Sequence, residues 1–244
     1  MASLYGIVGY PLAHSFSPAY FKRKFTTQQI DAVYESFPLA DIKEFPAFLK
    51  ANPSIKGLNI TIPYKEKIIP YLNQLDSIAG NIGAVNCISI KDGVLKGYNT
   101  DASAFEQSLV PLLQSHHTSA LILGNGGAAK AVAYSLKQLN IAFQKVSREK
   151  LAGTITYEEL TSEDIASHKL IINTTPLGMY PNVEGFPPIP YEGLSSKHLL
   201  YDLIYNPEET VFLMYGRHYS TSIKNGFQML ELQAEKSWEI WNRD

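Results

Sequence analysis

The spacing of apolar and polar positions changes character near residue 119. Before it, short apolar runs alternate with helical periodicity. Leu4 to Val8 reads as a buried strand, and Gly9 to Ser17 as a loop. Pro18 suits the first position of a helix, with Ser17 as its N-cap. Ala32 to Phe37 and Lys56 to Ile60 read as further strands, with a helix between them whose start Pro46 obscures. Val85 to Ile90 and Val94 to Tyr98 flank Lys91-Asp92-Gly93, a hairpin signal. The first hundred residues therefore predict an α/β unit with at least one antiparallel pair.

From residue 119 the order is more regular. Ala120-Leu121-Ile122-Leu123 is a continuous apolar run leading into Gly124-Asn125-Gly126-Gly127-Ala128-Ala129. A helix to about Leu139 and a strand ending near Val146 follow. Leu170 to Asn173 and Leu199 to Asp202 are two more buried strands. Strand, glycine turn, helix, strand is the order of a parallel, doubly wound sheet. The C-terminal segment, 226–244, is amphipathic, with Leu230, Ala234 and Trp241 on one face. The predicted division is 1–101 for a substrate domain, 102–225 for a Rossmann domain, and 226–244 for a helix that packs back on the first domain.

The bulk numbers narrow the class without changing this picture. The 244 residues are 45% hydrophobic and 18% charged, enough apolar material for two cores. The formal net charge of −2, without a block of like charges, gives no reason to expect nucleic acid as a partner. No apolar run reaches the ~20 residues of a spanning helix, so no membrane is expected. The start has no basic n-region and does not read as a signal peptide, so the expected location is cytoplasmic. One cysteine, Cys87, excludes an internal disulfide framework and a thiolate-rich zinc site, and the histidines show no ligand spacing. No metal is expected. The chain is expected to act as a monomer or homodimer.

Gly124-x-Gly126-x-x-Ala129 matches the dinucleotide fingerprint G-x-G-x-x-G/A. Gly124 permits a tight turn, Gly126 lets backbone approach a pyrophosphate, and Ala129 allows close helix–strand packing. The following helix offers unpaired N–H groups to the anion. An enzyme of NAD often carries an acidic residue about 20 positions on, at the end of the second strand. Here that position holds Ser147-Arg148-Glu149-Lys150. Arg148 is one of four arginines in the chain and falls where a 2′-phosphate would sit, which favours NADP. Glu149 leaves the alternative open, since its carboxylate could take a ribose 2′-hydroxyl.

Other side chains carry candidate chemistry with a plainer reading beside it. Ser15 and Ser17, two apart before Pro18, could donate to one carboxylate, or Ser17 could only cap the helix. Residues 1–100 hold a single arginine, Arg23, so neutral hydroxyls, Tyr205 among them, are the expected carboxylate donors. Thr61 and Lys65 are four apart, and a helix opened by Pro63 would turn both to one side. Lys65 could equally be a solvated lysine beside Glu66. Asp101 could cap a helix. Asn86, in an apolar strand, needs partners for its amide, which a polyhydroxylated ligand would supply.

Taken together, seven ordered segments resemble the shikimate dehydrogenase family. They are Gly9 to Pro18, Asn59 to Lys65, Gly83 to Asn86, Gly97 to Asp101, the glycine turn at 124, Ile172 to Met179, and Gly226 to Gln233. The resemblance implies hydride transfer between NADP and shikimate, with Lys65 and Asp101 as the catalytic pair. It places Ser15, Ser17, Thr61, Asn86, Tyr205 and Gln233 around shikimate. Around the cofactor it places Gly124, Asn125, Gly126, Gly127 and Ala128, together with Ser147, Arg148, Thr174, Leu203 and Gly226. The chain departs from the usual pattern at Cys87, where threonine is common, and at Ser147-Arg148-Glu149. A quinate- and NAD-using relative, or a non-catalytic sensor on the same fold, are the other readings. A sensor would be free to lose Lys65 or Asp101, and both are present.

Overall fold

The computed structural model describes residues 2–13 and 15–243. Met1, Asp244 and His14, the last within the opening motif, lie outside the described residues. The chain divides into two compact units, 1–100 with 234–244, and 101–233. The second boundary falls inside the C-terminal helix rather than before it, so the helix is shared by the two units instead of belonging to one.

The first unit contains β1 (Ser3–Gly9), α1 (Ser17–Gln28), β2 (Ala32–Pro38), α2 (Phe45–Ala51) and β3 (Ile55–Ile60). It continues with β4 (Gln74–Leu75), α3 (Ser77–Ile82), β5 (Cys87–Lys91) and β6 (Val94–Tyr98). Its sheet runs β2-β1-β3-β5-β6-β4, parallel on one side of β3 and antiparallel through the β5–β6 hairpin. Asp92 and Gly93 both take positive φ (50° and 76°), the geometry that lets a two-residue turn follow strand twist.

Two sequence expectations fail here. Ser17 is not the cap of α1. Phe16 already holds helical angles, and its carbonyl accepts from Tyr20 N–H at 3.1 Å, so Ser17 is the first helical residue. Nor does Pro63 open a helix. Residues 61–64 close a turn through Tyr64 N–H and the Thr61 carbonyl (2.9 Å), followed by one helical turn from Tyr64 to Ile68. Pro63 and Pro70 bracket this stretch, and neither can donate to a continuing helix.

The end of α8 (Phe227–Trp241) completes the first unit's core. Ala234, Ile240 and Trp241 are buried with Tyr5, Phe21, Phe25 and Tyr34. Trp241 stacks on Tyr5 (centroids 4.9 Å apart) and donates its indole N–H to the Ile88 carbonyl at 2.9 Å. A Cβ on Gly57 would stand 2.3 Å from the Trp241 ring, so this slot in β3 needs glycine. Leu230, expected on the same face, is only half-buried, and Met229 is buried instead, in the core of the second unit.

The second unit comprises α4 (Asp101–Leu109), β7 (Ser119–Leu123), α5 (Gly127–Gln138), β8 (Ala142–Ser147), β9 (Thr154–Thr156) and α6 (Ser162–Ser167). Then come β10 (Leu170–Asn173), β11 (Leu199–Asp202), α7 (Val211–His218), β12 (Ser222–Lys224) and the start of α8. All six strands are parallel, in the order β12-β11-β10-β7-β8-β9. The apolar runs of β7, β10 and β11 have this cause: the sheet is covered on both faces, by clusters around Ile122 on one and Leu121 on the other.

Candidate active site

Strand order reverses between β7 and β10, so the loops leaving their carboxyl ends diverge there. That is where an open parallel sheet binds ligands. Gly124 has φ +115°, and an added Cβ would lie 2.5 Å from Thr174 Oγ1, so the turn after β7 needs glycine on two counts. Thr174 closes the approach by donating its hydroxyl to the Leu123 carbonyl at 2.6 Å. At Gly126, by contrast, an added Cβ would meet nothing within 4 Å. Gly126 is the N-cap of α5, and no side chain caps this helix. The first N–H groups of a twelve-residue helix are thus left for an anion, with open space before them. Ala129 is fully buried, as close packing of α5 on the sheet requires. These residues fit a dinucleotide pyrophosphate.

Around this turn, the Lys145 ammonium reaches Asn125 Oδ1 at 3.5 Å. Arg148 and Glu149, just past β8, are exposed. Lys150 is paired with Glu159 at 2.6 Å. Ser147 is nearly buried, and its hydroxyl donates to the Glu149 carbonyl and lies 3.1 Å from Thr154 Oγ1. Its visible job is to shape the loop that carries Arg148. At the far side, Gly226 approaches Leu203 so closely that a Cβ would stand 2.1 Å from the Leu203 carbonyl oxygen. Gly127 and Ala128 begin α5, and Tyr205 lies half-buried in the loop after β11. Asp101 is buried as the first residue of α4, and Gln233 is buried in α8 with its amide on the Leu230 carbonyl (2.9 Å).

In the first unit, backbone bonds gather Lys65 with two of the expected substrate residues, Thr61 and Asn86. Lys65 offers its carbonyl to Val85 N–H (2.7 Å), beside Asn86. The Asn86 carbonyl accepts from Ile60 N–H (2.9 Å), beside Thr61. Thr61 itself is pinned to the end of β1 by its N–H on the Val8 carbonyl (3.0 Å). Ser15 is half-buried, held by its N–H on the Leu12 carbonyl at 3.1 Å.

Asn86 does not depend on a ligand for its partners, contrary to the sequence expectation. Its Nδ2 donates to Thr100 Oγ1 at 2.9 Å, and its Oδ1 accepts from Thr100 N–H at 2.7 Å. It also precedes β5 rather than lying in it.

Behind these residues lies a buried polar network that sequence reasoning missed. Tyr34 donates to Asn59 Oδ1 (2.8 Å), and Asn59 Nδ2 donates to Ser237 Oγ (2.8 Å) and approaches the Asn86 carbonyl (3.2 Å). Burial pushes the Tyr34 hydroxyl well above its ordinary pKa, while a Ser17 hydrogen bond pulls it down. Cys87, fully buried next to Asn86, has its thiol pushed up to about 12, chiefly by burial, and is no nucleophile. Asn59 and Thr100 both stand within the motifs quoted above, so the motifs contained the signal without its meaning. Among the described residues no group of three or more His, Cys, Asp or Glu side chains is arranged to hold a metal. None of the helices described is long and apolar enough to cross a membrane.

A parallel sheet with this strand order and a glycine turn at its reversal point defines a Rossmann dinucleotide-binding unit. The first unit carries the more specific likeness: residues 7–88 match the family model described as the shikimate dehydrogenase substrate binding domain. A curated shikimate dehydrogenase (NADP(+)) of Halothermothrix orenii is 39% identical, over 97% of this chain and 89% of that one. The crystal structure of shikimate dehydrogenase from Aquifex aeolicus superposes with a TM-score of 0.89 at 30% identity, covering 99% and 92% of the two chains. That of the Thermus thermophilus enzyme in complex with NADP(H) and shikimate gives 0.88 at 27% identity, over 99% and 94%. The chain belongs to the shikimate dehydrogenase family.

Proposed function

We propose that this chain catalyses the reversible, NADP-dependent reduction of 3-dehydroshikimate to shikimate, a step of chorismate and aromatic amino-acid biosynthesis. The observation that carries the cofactor half is the uncapped start of α5 beside Gly124 and Gly126, at the reversal point of the parallel sheet. Bound NADP supplies the hydride chemistry. Gly124, Asn125, Gly126, Gly127 and Ala128 receive the pyrophosphate, and Arg148 takes the 2′-phosphate from the loop that Ser147 shapes. Thr174, Leu203 and Gly226 complete the wall of the cofactor site.

On the substrate, Lys65 hydrogen-bonds the reacting oxygen as negative charge develops on it, and Asp101 orients the ammonium and the hydroxyl. Ser15, Ser17 and Tyr205 hold the carboxylate, and Thr61, Asn86 and Gln233 the ring hydroxyls. Asn86 brings an amide whose rotation Thr100 has already fixed, so little ordering remains when substrate arrives. The test is the absorbance of reduced nicotinamide on mixing the protein with shikimate and either NADP or NAD. Turnover with NADP at low cofactor concentration is expected. No turnover with shikimate and either cofactor, or faster turnover of quinate, would overturn the reading.

A further inference from the structure

A fully buried carboxylate stands at the carboxyl edge of the parallel sheet, outside the groups assigned above. Asp202 ends β11 and is the register partner of Asn173, which ends β10; neither is exposed to solvent. Asp202 Oδ1 accepts from Asn173 Nδ2 and from Ile204 N–H, each at 3.0 Å. Its Oδ2 accepts from the Thr210 hydroxyl at 2.6 Å. All three donors are neutral.

Each partner governs a different segment. With its Nδ2 on Asp202, Asn173 must turn Oδ1 the other way, where it accepts from Thr175 N–H (3.0 Å) and Thr175 Oγ1 (2.7 Å). That fixes the loop holding Thr174. Ile204 N–H fixes the turn after Leu203, and the Ile204 carbonyl accepts from Gly226 N–H at 2.9 Å. Thr210 is the N-cap of α7, its hydroxyl oxygen accepting from Leu213 N–H at 3.4 Å.

We propose that Asp202 is a positioning residue for hydride transfer, locking the segments of Thr174, Leu203 and Gly226 into one rigid wall of the cofactor site. This rests on the cofactor reading above. A dinucleotide whose 2′-phosphate meets Arg148 after β8 and whose pyrophosphate meets the turn after β7 has its nicotinamide half over β10 and β11. The wall Asp202 builds therefore faces the reacting half, while the adenosine half lies beyond its reach. Asp202 acts through its acceptor geometry. Burial pushes its carboxyl up to about 7, against the hydrogen bonds of Thr210, Ile204 and Asn173.

The test compares Asp202→Ala, Asp202→Asn and wild type for kcat, for NADP affinity, and for affinity of adenosine 2′,5′-bisphosphate, which probes the adenosine half alone. In Asp202→Ala, kcat is expected to fall about 10- to 100-fold, the scale of a small misplacement at a reacting centre. NADP affinity weakens with it, and bisphosphate affinity holds. Asp202→Asn keeps one acceptor oxygen for Asn173 and Ile204 and can donate to Thr210, so it restores most of the loss. Wild-type kcat in folded Asp202→Ala overturns the proposal. So does a loss in Asp202→Asn as large as in Asp202→Ala, or bisphosphate binding that falls in step with NADP. If Asp202→Ala fails to fold, Thr210→Val, which deletes the bond to Asp202 and the weaker cap bond to Leu213 without opening a cavity, decides: a lower kcat with unchanged bisphosphate affinity supports the role, and wild-type kcat overturns it. Wild-type enzyme that neither turns over shikimate nor binds NADP would instead sink the cofactor reading.

Discussion

Asn86 and Thr100 are joined by two hydrogen bonds, the Asn86 amide donating to the Thr100 hydroxyl and accepting from the Thr100 N–H. The pair ties the start of β5 to the residue immediately before Asp101. Replacing Thr100 with Val keeps the shape and the N–H but removes the Thr100 hydroxyl that accepts from the buried Asn86 Nδ2. A cost of about 1–3 kcal/mol in unfolding free energy is expected from denaturant titration. KM for shikimate should rise as well. An unchanged KM would show that the amide needs no such restraint.

Lys65 and Asp101, if they serve the reacting hydroxyl, contribute more to the transition state than to substrate binding. Alanine at either position is expected to lower kcat by about 10²–10⁴-fold, with a smaller effect on KM. The double variant should be little worse than the more damaged single variant, since the two act as one unit. Circular dichroism must show each variant folded, because Asp101 also opens α4. Additive losses would assign them separate roles.

Arg148→Ala should weaken NADP binding by about 1.5–3 kcal/mol, the range of a charge-assisted hydrogen bond, and leave NAD binding nearly unchanged. Isothermal titration with both cofactors measures this. Equal losses for NADP and NAD would mean that Arg148 does not read the 2′-phosphate.

The raised pKa of Asp202 has a consequence for stability. Its folded value, about 7, lies above the ordinary 3.8, so the folded state holds the proton more tightly than the unfolded chain does. The stabilisation is complete below about pH 3.8 and is lost as pH rises through about 7. Tyr191, itself raised chiefly by burial, is a titratable neighbour whose hydroxyl feels this charge, and it stays neutral throughout. Asp202→Asn should therefore gain Tm relative to wild type as pH increases from 5 to 8. A difference in Tm that does not vary across that range would contradict it.

Much of the scaffold was legible because its physical causes are local. Continuous apolar runs mark β7, β10 and β11, since a strand covered on both faces has no polar side to show. The turn at Gly124 was legible from glycine spacing. Strands β4, β9 and β12 were not, being two or three residues long with few buried positions. The polar network could not be read at all: Asn59 and Ser237 meet across 178 positions of sequence, and no periodicity announces such a pair. The helix expected after Pro63 is cut to a single turn, and the second proline, at 70, has no N–H with which to continue it.

The slot that Gly57 leaves for Trp241 also orders events during synthesis. Residues 1–100 emerge first and can pair their strands, but the ring that fills their core lies beyond residue 233. On the ribosome the first unit must wait, with Tyr5 and Phe21 incompletely covered, until the whole second unit has been made. The amino-terminal unit is thus the last to be finished.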